Sequence, residues 1–128
     1  MITYHKDNTL PTDGRIFVFG SNLIGLHGAG AAKAACAYGA VIGYGVGRVN
    51  GTYAIPTKDA KVETMPLDQI KPYIDTFIDY TKSNPTISFF VTRVGCGLAG
   101  YKDADIAPMF KGAVNCSFAE SWKEYLEN

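Results

Sequence analysis

The sequence has no excess of charge of either sign. Twelve lysine and arginine residues balance twelve aspartate and glutamate residues, and no long run of one sign occurs in the 128 residues. Proteins that bind nucleic acid without sequence preference need a positive surface, because contacts with phosphates supply most of their affinity. The composition therefore argues against that class, whereas a pocket for one small phosphate-bearing molecule needs no such excess.

Cysteine is scarce as well. The chain contains Cys36, Cys96 and Cys116, and their spacing includes neither a CxxC pair nor a cysteine–histidine pair. Three widely separated cysteines are not typical of a disulfide framework or of a zinc site. We therefore expect neither a bound metal nor a cofactor.

A long apolar run is also missing. Met1 leads directly into the mixed stretch Ile2–Asp7, and no apolar segment approaches the roughly 20 residues that cross a bilayer. We therefore expect a cytoplasmic protein without a membrane partner. Since 128 residues are enough to bury one sizeable core, we also expect a single domain over residues 1–128.

Glycine, in contrast, is abundant, with 14 residues. The densest stretch, Gly20–Gly39, follows an apolar run, Arg15–Phe19, that is typical of a buried strand, and it contains the alanine-rich segment Ala31–Tyr38, which predicts a helix. Free N–H groups at a helix start attract anions, and at Gly28 and Gly30 no side chain would keep a phosphate from the backbone. Ordinary turn chemistry is the alternative for this loop taken alone.

A second glycine loop, Val94–Gly100, follows another apolar run, Thr86–Arg93, which predicts a strand covered on both faces. Between the two loops, Thr52–Ile55 predicts a strand that ends at Pro56, and the spacing of apolar residues predicts an amphipathic helix over Pro66–Ser83. The segment before Thr52 alternates glycine with apolar residues, and it fits either a bulged strand or an irregular loop.

Elements near the two ends complete the pattern. Met1–Tyr4 fits a short edge strand, acidic residues predict a helix from about Ala104 to Lys111, Ala113–Cys116 fits a last strand, and Ser117–Glu120 matches a capping box before a final helix. Alternating strands and helices predict an α/β fold, namely a three-layer α/β/α sandwich with a mixed, mostly parallel sheet. Ligands bind such sheets beyond the carboxyl ends of the strands, where both glycine loops lie.

Three sequence blocks lie in these loops and in the strand between them: His27–Ala31 (HGAGA), Tyr53–Lys58 (YAIPTK) and Arg93–Leu98 (RVGCGL). In this order the blocks resemble the macrodomain family, and most closely its branch containing the terminal ADP-ribose protein glycohydrolases. The opening Ile2–Asp7 is similar to the first strand of that branch, in which an aspartate holds the adenine. The resemblance implies a macrodomain-like fold that binds ADP-ribose.

The resemblance also implies roles for particular residues. Asp7 would hold the adenine, Asn22 and the first loop would line the distal ribose, and backbone N–H groups of the second loop would hold phosphate. The expected ligand-binding residues are Asp7, Ser21, Asn22, His27, Gly28, Ala29, Gly30, Ala31, Thr57, Gly95, Cys96, Gly97, Leu98, Ala99, Gly100 and Tyr101.

Lys58 matches the lysine that attacks the ribose in the glycohydrolases, and it is the expected catalytic residue if the protein is an enzyme. In those enzymes an acidic residue directly follows the Gly-Cys-Gly-Leu block, but Ala99 stands there in this chain, and alanine cannot transfer a proton. We therefore expect a binder of ADP-ribose or a related nucleotide-sugar diphosphate, acting as a reader of modified proteins or as a sequesterer of a free nucleotide. The alternatives are a glycohydrolase that removes ADP-ribose from protein or nucleic acid, and an interaction module without a ligand.

Several single residues leave two interpretations open. Cys96 could act as a nucleophile or could be a small residue that fits a tight turn. His27 could donate to phosphate or ribose or could have no functional role, and Tyr101 could stack on the ligand or pack at the end of the loop. Carboxylates considered as partners of Lys58 are Asp59, Glu63, Asp103 and Asp105, of which the last two also fit helix caps.

Overall fold

The computed structural model describes residues 2–127, which form an α/β fold. Its strands are β1 (Thr3–His5), β2 (Ile16–Asn22), β3 (Gly47–Val49), β4 (Thr52–Lys58), β5 (Phe89–Val91) and β6 (Cys116–Ala119). Its α-helices are α1 (Gly30–Ala35), α2 (Leu67–Ser83), α3 (Asp103–Ile106) and α4 (Lys123–Leu126). Short 3₁₀ turns follow α1 and α3 and precede α4: Cys36–Tyr38, Ala107–Phe110 and Glu120–Trp122.

Within these residues the strands form one six-stranded sheet in the order β1–β6–β5–β2–β4–β3. Neighbouring strands are parallel except at one edge, where β3 runs antiparallel to β4. Helix α1 packs on one face of the sheet and α2 on the other. The prediction of a three-layer α/β/α sandwich with a mixed, mostly parallel sheet is confirmed.

Strand β2 lies inside the sheet and contributes to both cores. Phe17 and Phe19 are buried together with Ala32 and Ala35 of α1, whereas Val18 is buried in the larger cluster on the α2 face. Because both faces of this part of the strand are covered, residues 16–19 are continuously apolar instead of alternating between apolar and polar residues.

Helix α2 agrees with the predicted amphipathic helix to within one residue. Pro66 occupies the N-cap position, and the buried stripe includes Ile70, Ile74 and Phe77. The ring of Phe77 lies edge-on to Phe89 of β5, with centroids 5.4 Å apart. Removing each such side chain from water contributes roughly 1.5–3 kcal/mol, so this stripe holds the helix on the sheet.

The prediction that the strand ends at Pro56 is wrong. Strand β4 continues through Pro56 to Lys58, and Pro56 is in register with Ser21 of β2. Proline is tolerated here for two reasons. The pairing of β4 with β3 extends along β4 only as far as Ala54, and the register between β2 and β4 shifts directly after Ser21. Proline, which lacks an N–H group, is found in sheets at such edges and irregularities.

The predicted elements after residue 112 are wrong in register. Strand β6 contains Ser117 and Phe118, which the capping-box pattern had assigned to the start of a helix. Phe118 is buried between Phe110, at a ring distance of 5.8 Å, and Trp122, at 6.1 Å. The final helix, α4, begins only at Lys123, after a 3₁₀ turn, because burial of β6 in the sheet outweighs the local capping signal.

Two surface segments on the β3 side, residues 23–26 and 41–46, are locked together through their backbones. The N–H group of Gly43 donates to the carbonyl of Gly25 at 2.9 Å, and the hydroxyl of Ser21 donates to the carbonyl of Gly45. A Cβ on Gly45 would lie 1.9 Å from the carbonyl oxygen of Asn22. The glycine-rich segment before Thr52 fitted either a bulged strand or an irregular loop. In the structure, residues 41–46 form an irregular loop that leads into β3.

We expect Gly45→Ala to lower the free energy of unfolding by about 3 kcal/mol, because the added methyl group would have to displace backbone atoms. Urea denaturation measures this change. Gly97→Ala is the matched control, since a Cβ at that position meets no atom within 4 Å, and we expect it to stay within about 0.5 kcal/mol of the wild type. Equal stability of the two variants would contradict the interlocked packing.

Candidate functional site

A cleft of about 850 Å³ opens at the carboxyl ends of β2, β4 and β5. Much of its wall comes from loop 1, residues 23–29, which joins β2 to α1, and from loop 2, residues 92–102, which joins β5 to α3. The carboxyl ends of parallel strands are where α/β sheets bind ligands, and small-molecule sites measure about 300–1,000 Å³. Position and size therefore both fit a ligand site.

Loop 2 closely approaches the two elements that flank loop 1, namely β2 and α1. A Cβ on Gly20 would lie 3.3 Å from the backbone nitrogen of Gly95, and a Cβ on Gly30 would lie 3.3 Å from Cδ1 of Leu98. Gly30 and Gly95 also have positive φ angles, 59° and 78°, which glycine adopts without the steric cost that other residues meet. The backbone conformation therefore favours glycine at both positions.

Backbone N–H groups are the most numerous free donors in this cleft. Within the described chain, no acceptor pairs with the N–H groups of residues 28–32, in loop 1 and the first turn of α1. The same holds in loop 2 for Gly95 and for residues 97–99. Backbone donors are obligatory hydrogen-bonding groups, so two facing rows of them can serve an anionic ligand.

Two residues of loop 2 use their N–H groups within the loop itself. The N–H group of Cys96 donates to the carbonyl of Arg93 at 3.0 Å, and that of Gly100 donates to the carbonyl of Gly97 at 3.0 Å. The expectation that Cys96 offers its N–H group to phosphate is therefore wrong. These two bonds instead shape the turn from which the neighbouring donors project.

Most of the residues predicted for the site do line this cleft. Those in its wall are Ser21, Asn22, Gly28, Ala29, Gly30, Ala31, Thr57, Lys58, Gly95, Cys96, Gly97, Leu98 and Ala99. Those outside the wall are Asp7, His27, Gly100 and Tyr101.

Residues outside the wall have structural contacts. The carboxylate of Asp7 accepts a hydrogen bond of 3.2 Å from a backbone N–H group in the 3₁₀ turn before α4. The hydroxyl of Tyr101 donates to the carbonyl of Met65, and His27 is buried edge-on to Phe19, with ring centroids 5.3 Å apart. The bond of Tyr101 agrees with the alternative in which it packs at the end of the loop, whereas both ring nitrogens of His27 are buried without a hydrogen-bond partner in the described chain.

Loop 2 is fixed at its two ends by an ion pair. The guanidinium of Arg93 donates two hydrogen bonds of 2.9 Å to the carboxylate of Asp103, which also accepts one of 2.7 Å from the indole of buried Trp122. Burial alone would raise the pKa of Asp103, but the bonds from Arg93 and Trp122 lower that pKa below its ordinary value. The positive charge of Arg93 is therefore committed to the protein, although its side chain borders the cleft.

Cys96 does not fit the requirements of a nucleophile. Burial first, and then the negative charge of Asp103, raise the pKa of the Cys96 thiol to about 12. Reactive cysteines have a lowered pKa, because the thiolate is the attacking species. The interpretation of Cys96 as a small residue in a tight turn agrees with these surroundings.

Lys58 lies at one end of the cleft, where β4 ends. Its carbonyl accepts a hydrogen bond of 3.0 Å from the N–H group of Leu23 in loop 1. Lys58 also forms an isolated bridge with Thr64, whose hydroxyl donates to the carbonyl of Ala99 at 3.0 Å. The structure thus connects Lys58 to Ala99 through Thr64.

No carboxylate belongs to the described wall of the cleft. Asp59 accepts hydrogen bonds of 2.8 and 3.0 Å from two backbone N–H groups of its own turn. Asp103 pairs with Arg93, and Asp105 accepts a hydrogen bond of 3.2 Å from the N–H group of Lys102 at the start of α3. Lys58 therefore has no acidic partner in the wall that could exchange a proton with a substrate.

The opposite end of the cleft is aromatic. His5 stacks on Phe90 with ring centroids 3.7 Å apart and 15° between the planes, and its Nδ1 lies 2.8 Å from the hydroxyl oxygen of Ser117. Burial first, and then the positive charge of Arg15, lower the pKa of His5 to about 4. The His5 ring is therefore neutral at pH 7, and it covers buried Phe90, whose ring centroid also lies 5.0 Å from the Arg15 guanidinium.

A number of wall residues are not indicated by any pattern used above. They are His5, Asn8, Thr9, Leu10, Phe17, Gly20, Leu26, Ala32, Ala34, Val62, Phe90, Thr92, Arg93, Val94 and Ala119. The residues from 5 to 10 reach the cleft because β1 pairs with β6 near the other end of the chain, and no local pattern indicates that pairing. Phe90 and Thr92 could have been predicted as wall residues, because they lie in the second half of the predicted strand Thr86–Arg93, just before a predicted loop.

Other site classes find no support in the described residues. Residues 2–127 contain no group of three or more histidine, cysteine, aspartate or glutamate side chains that could hold a metal ion. None of the helices in this range combines the length and the apolar composition that crossing a bilayer requires.

We expect Asp103→Asn to lower the free energy of unfolding at neutral pH by about 1–2 kcal/mol, because charged hydrogen bonds at a partly exposed site become neutral ones. A carboxyl group whose pKa is lowered in the folded state stabilises that state above its unfolded pKa of about 3.9, and this stabilisation is lost as the pH falls through the folded value. Urea denaturation at neutral pH and at about pH 3 should therefore show a smaller difference from the wild type in acid. An unchanged difference would contradict the role given to the Asp103 charge.

No protein-family model matches the chain, and no curated protein matches it in sequence. The fold is similar to the solved structure of a protein of unknown function from Bacteroides thetaiotaomicron, with a TM-score of 0.64 and 19% sequence identity. The likeness covers 93% of this chain and 97% of that chain. It therefore spans the whole α/β domain, and at this identity it concerns the fold alone.

Proposed function

We propose that this protein binds ADP-ribose or a related nucleotide-sugar diphosphate in the cleft between loops 1 and 2. The observation on which the proposal rests is the pair of facing backbone rows, residues 28–32 and 95–99, in which most N–H groups have no acceptor within the described chain. A diphosphate offers several anionic oxygens, and N–H dipoles converging on an anion bind it without a net positive charge. The protein would act as a reader of modified proteins or as a sequesterer of the free nucleotide.

The two ends of the cleft give the ligand a direction. The partly exposed ring of His5, which stacks on buried Phe90, would supply an aromatic surface on which a nucleobase stacks. Lys58 and Asn22 lie beyond loop 1 at the other end, where the distal ribose of such a ligand would be placed. The diphosphate would then lie between the two rows of N–H groups.

The role of the free N–H groups can be tested at Ala29, the N-cap residue of α1, which has no side-chain capping bond. We expect Ala29→Asp to raise the free energy of unfolding by about 1 kcal/mol, because aspartate at this position accepts hydrogen bonds from the first helical N–H groups. The same carboxylate would compete with the diphosphate, so calorimetry should show at least about tenfold weaker binding of ADP-ribose.

Ala37→Asp is the matched control for this charge, since Ala37 is exposed in the 3₁₀ turn after α1 and lies outside the cleft wall. It should change ADP-ribose affinity by less than about twofold. Equal affinities of the two variants for ADP-ribose would show that these N–H groups do not contribute to binding. No binding of ADP-ribose by the wild type would reject the proposed function and favour an interaction module without this ligand.

Hydrolysis of an ADP-ribosyl group is the second candidate function, and the observation in its favour is the position of Lys58 in the cleft wall. A lysine nucleophile acts as the free amine and needs a group that takes up and returns protons. The wall contains no carboxylate among the described residues, and Ala99 stands where the glycohydrolases have one. Binding without turnover is therefore the better-supported function.

We expect the wild type to bind ADP-ribose and to release none from ADP-ribosylated protein or oligonucleotide, because the proton-transfer group is missing. Chromatographic detection of free ADP-ribose over a long incubation checks this. Release by the wild type that is lost in Lys58→Ala and kept in Lys61→Ala, a change of an exposed lysine outside the wall, would establish the hydrolase instead.

A further inference from the structure

An uncovered apolar surface lies beside loop 1. Each apolar side chain in it is at least 41% exposed. A single exposed apolar side chain would be ordinary in a folded protein. A cluster of this kind on one side of a small protein usually marks an interaction site. We name it the apolar platform, and it consists of Ile24, Leu26, Val41, Ile42, Tyr44 and Val46.

The backbone beneath the platform is stiff. The N–H group of Gly43 donates to the carbonyl of Gly25 at 2.9 Å, and a Cβ on Gly25 would lie 2.4 Å from the backbone nitrogen of Tyr44. With the two segments in direct backbone contact, their side chains are presented to solvent instead of folding over each other. A partner would therefore bind a preformed surface, which lowers the entropic cost of association.

The platform is continuous with one end of the cleft. Leu26 belongs both to the platform and to the cleft wall. The side chain of Asn22, another wall residue, holds both backbone groups of Leu26 through hydrogen bonds of 2.8 and 2.9 Å. Leu23 donates to the carbonyl of Lys58 at 3.0 Å, so the end in question is the Lys58 end.

The orientation of the ligand decides what crosses the platform. In the proposed orientation, with the nucleobase at the His5 and Phe90 stack and the diphosphate between the loops, the distal ribose would point toward Lys58. A macromolecule attached to that ribose leaves the cleft at this end and passes over the adjoining platform.

The chemistry of the platform selects among macromolecules. Residues 16–32 and 34–47 contain no aspartate, glutamate, lysine or arginine. The platform residues themselves therefore offer no cation to the phosphates of a nucleic acid, whereas an apolar stretch of polypeptide would gain by removing apolar surface from water.

We infer that the apolar platform binds the polypeptide that carries the ADP-ribosyl group, through apolar side chains flanking the modified residue. This inference rests on the proposed function and narrows its substrate class to proteins modified within apolar sequence. In this proposal the cleft binds the nucleotide, and the platform favours polypeptides with apolar residues beside the modified residue.

The experiment compares three probes by calorimetry: free ADP-ribose, an ADP-ribosylated peptide with leucine and phenylalanine beside the modified residue, and the same peptide with glycine and serine there. The leucine and phenylalanine peptide should bind roughly tenfold tighter than the other two probes, as burial of two large apolar side chains allows. In the double variant Ile42→Ser and Tyr44→Ser, this advantage should fall below about twofold, with unchanged affinity for free ADP-ribose, because neither residue lines the cleft.

Ile2→Ser is the matched control, since Ile2 is 37% exposed next to β1, at the opposite edge of the sheet from β3. It should retain the full advantage. Equal binding of all three probes by the wild type would overturn the inference and leave the proposed function standing, whereas failure of free ADP-ribose to bind would reject the proposed function itself.

Two further outcomes would also overturn the inference. A salt-sensitive advantage for an ADP-ribosylated oligonucleotide over free ADP-ribose would assign the adjoining surface to nucleic acid. A wild-type dimer in sedimentation equilibrium that becomes monomeric in the Ile42→Ser and Tyr44→Ser variant would assign the platform to a second copy of the chain.

Discussion

Backbone N–H groups that the fold does not use for itself are the physical basis of the proposed site. A helix leaves its first N–H groups unpaired, and in this chain residues 28–32 carry no side chain larger than a methyl group that could cover them. Gly95 and residues 97–99 face them from loop 2 with equally free donors. Attraction of an anion by such dipoles needs no basic excess, which agrees with twelve basic and twelve acidic residues. The site is thus polar through its backbone and not through its composition.

Free donors are useful only if the loops keep their shape. In loop 2 the shape is held by the ion pair between Arg93 and Asp103, with Trp122 as a third partner, and by the N–H groups of Cys96 and Gly100. In loop 1 the side chain of Asn22 does the corresponding work on Leu26. The polar side chains of Arg93 and Asn22 therefore form hydrogen bonds within the protein. Among the described residues of the wall, Lys58 is the cation that remains.

The cleft is chemically different at its two ends, and this gives the proposal a direction. Strand β1 brings His5 onto Phe90 of β5 at one end, while β4 brings Lys58 to the other. The two ends lie apart because β1 and β4 are on opposite sides of β2 in the sheet. The interlocked glycines beside the Lys58 end hold apolar side chains in solvent. If the cleft holds the proposed nucleotide, the apolar surface at its exit is where a polypeptide carrying that nucleotide would make its additional contacts.

The sequence by itself determined the elements whose signals are local. Apolar runs and glycines placed the loops after β2 and β5, and the apolar spacing fixed α2 almost to the residue, because side-chain periodicity reflects burial directly. Only the tertiary structure decided that β1 pairs with β6, more than a hundred residues away, so that His5 enters the wall and Asp7 does not. It also decided that Ser117 and Phe118 form a strand and that Asp103 neutralises Arg93. Strand pairing and ion pairing depend on contacts between distant segments, and these leave no period in the sequence.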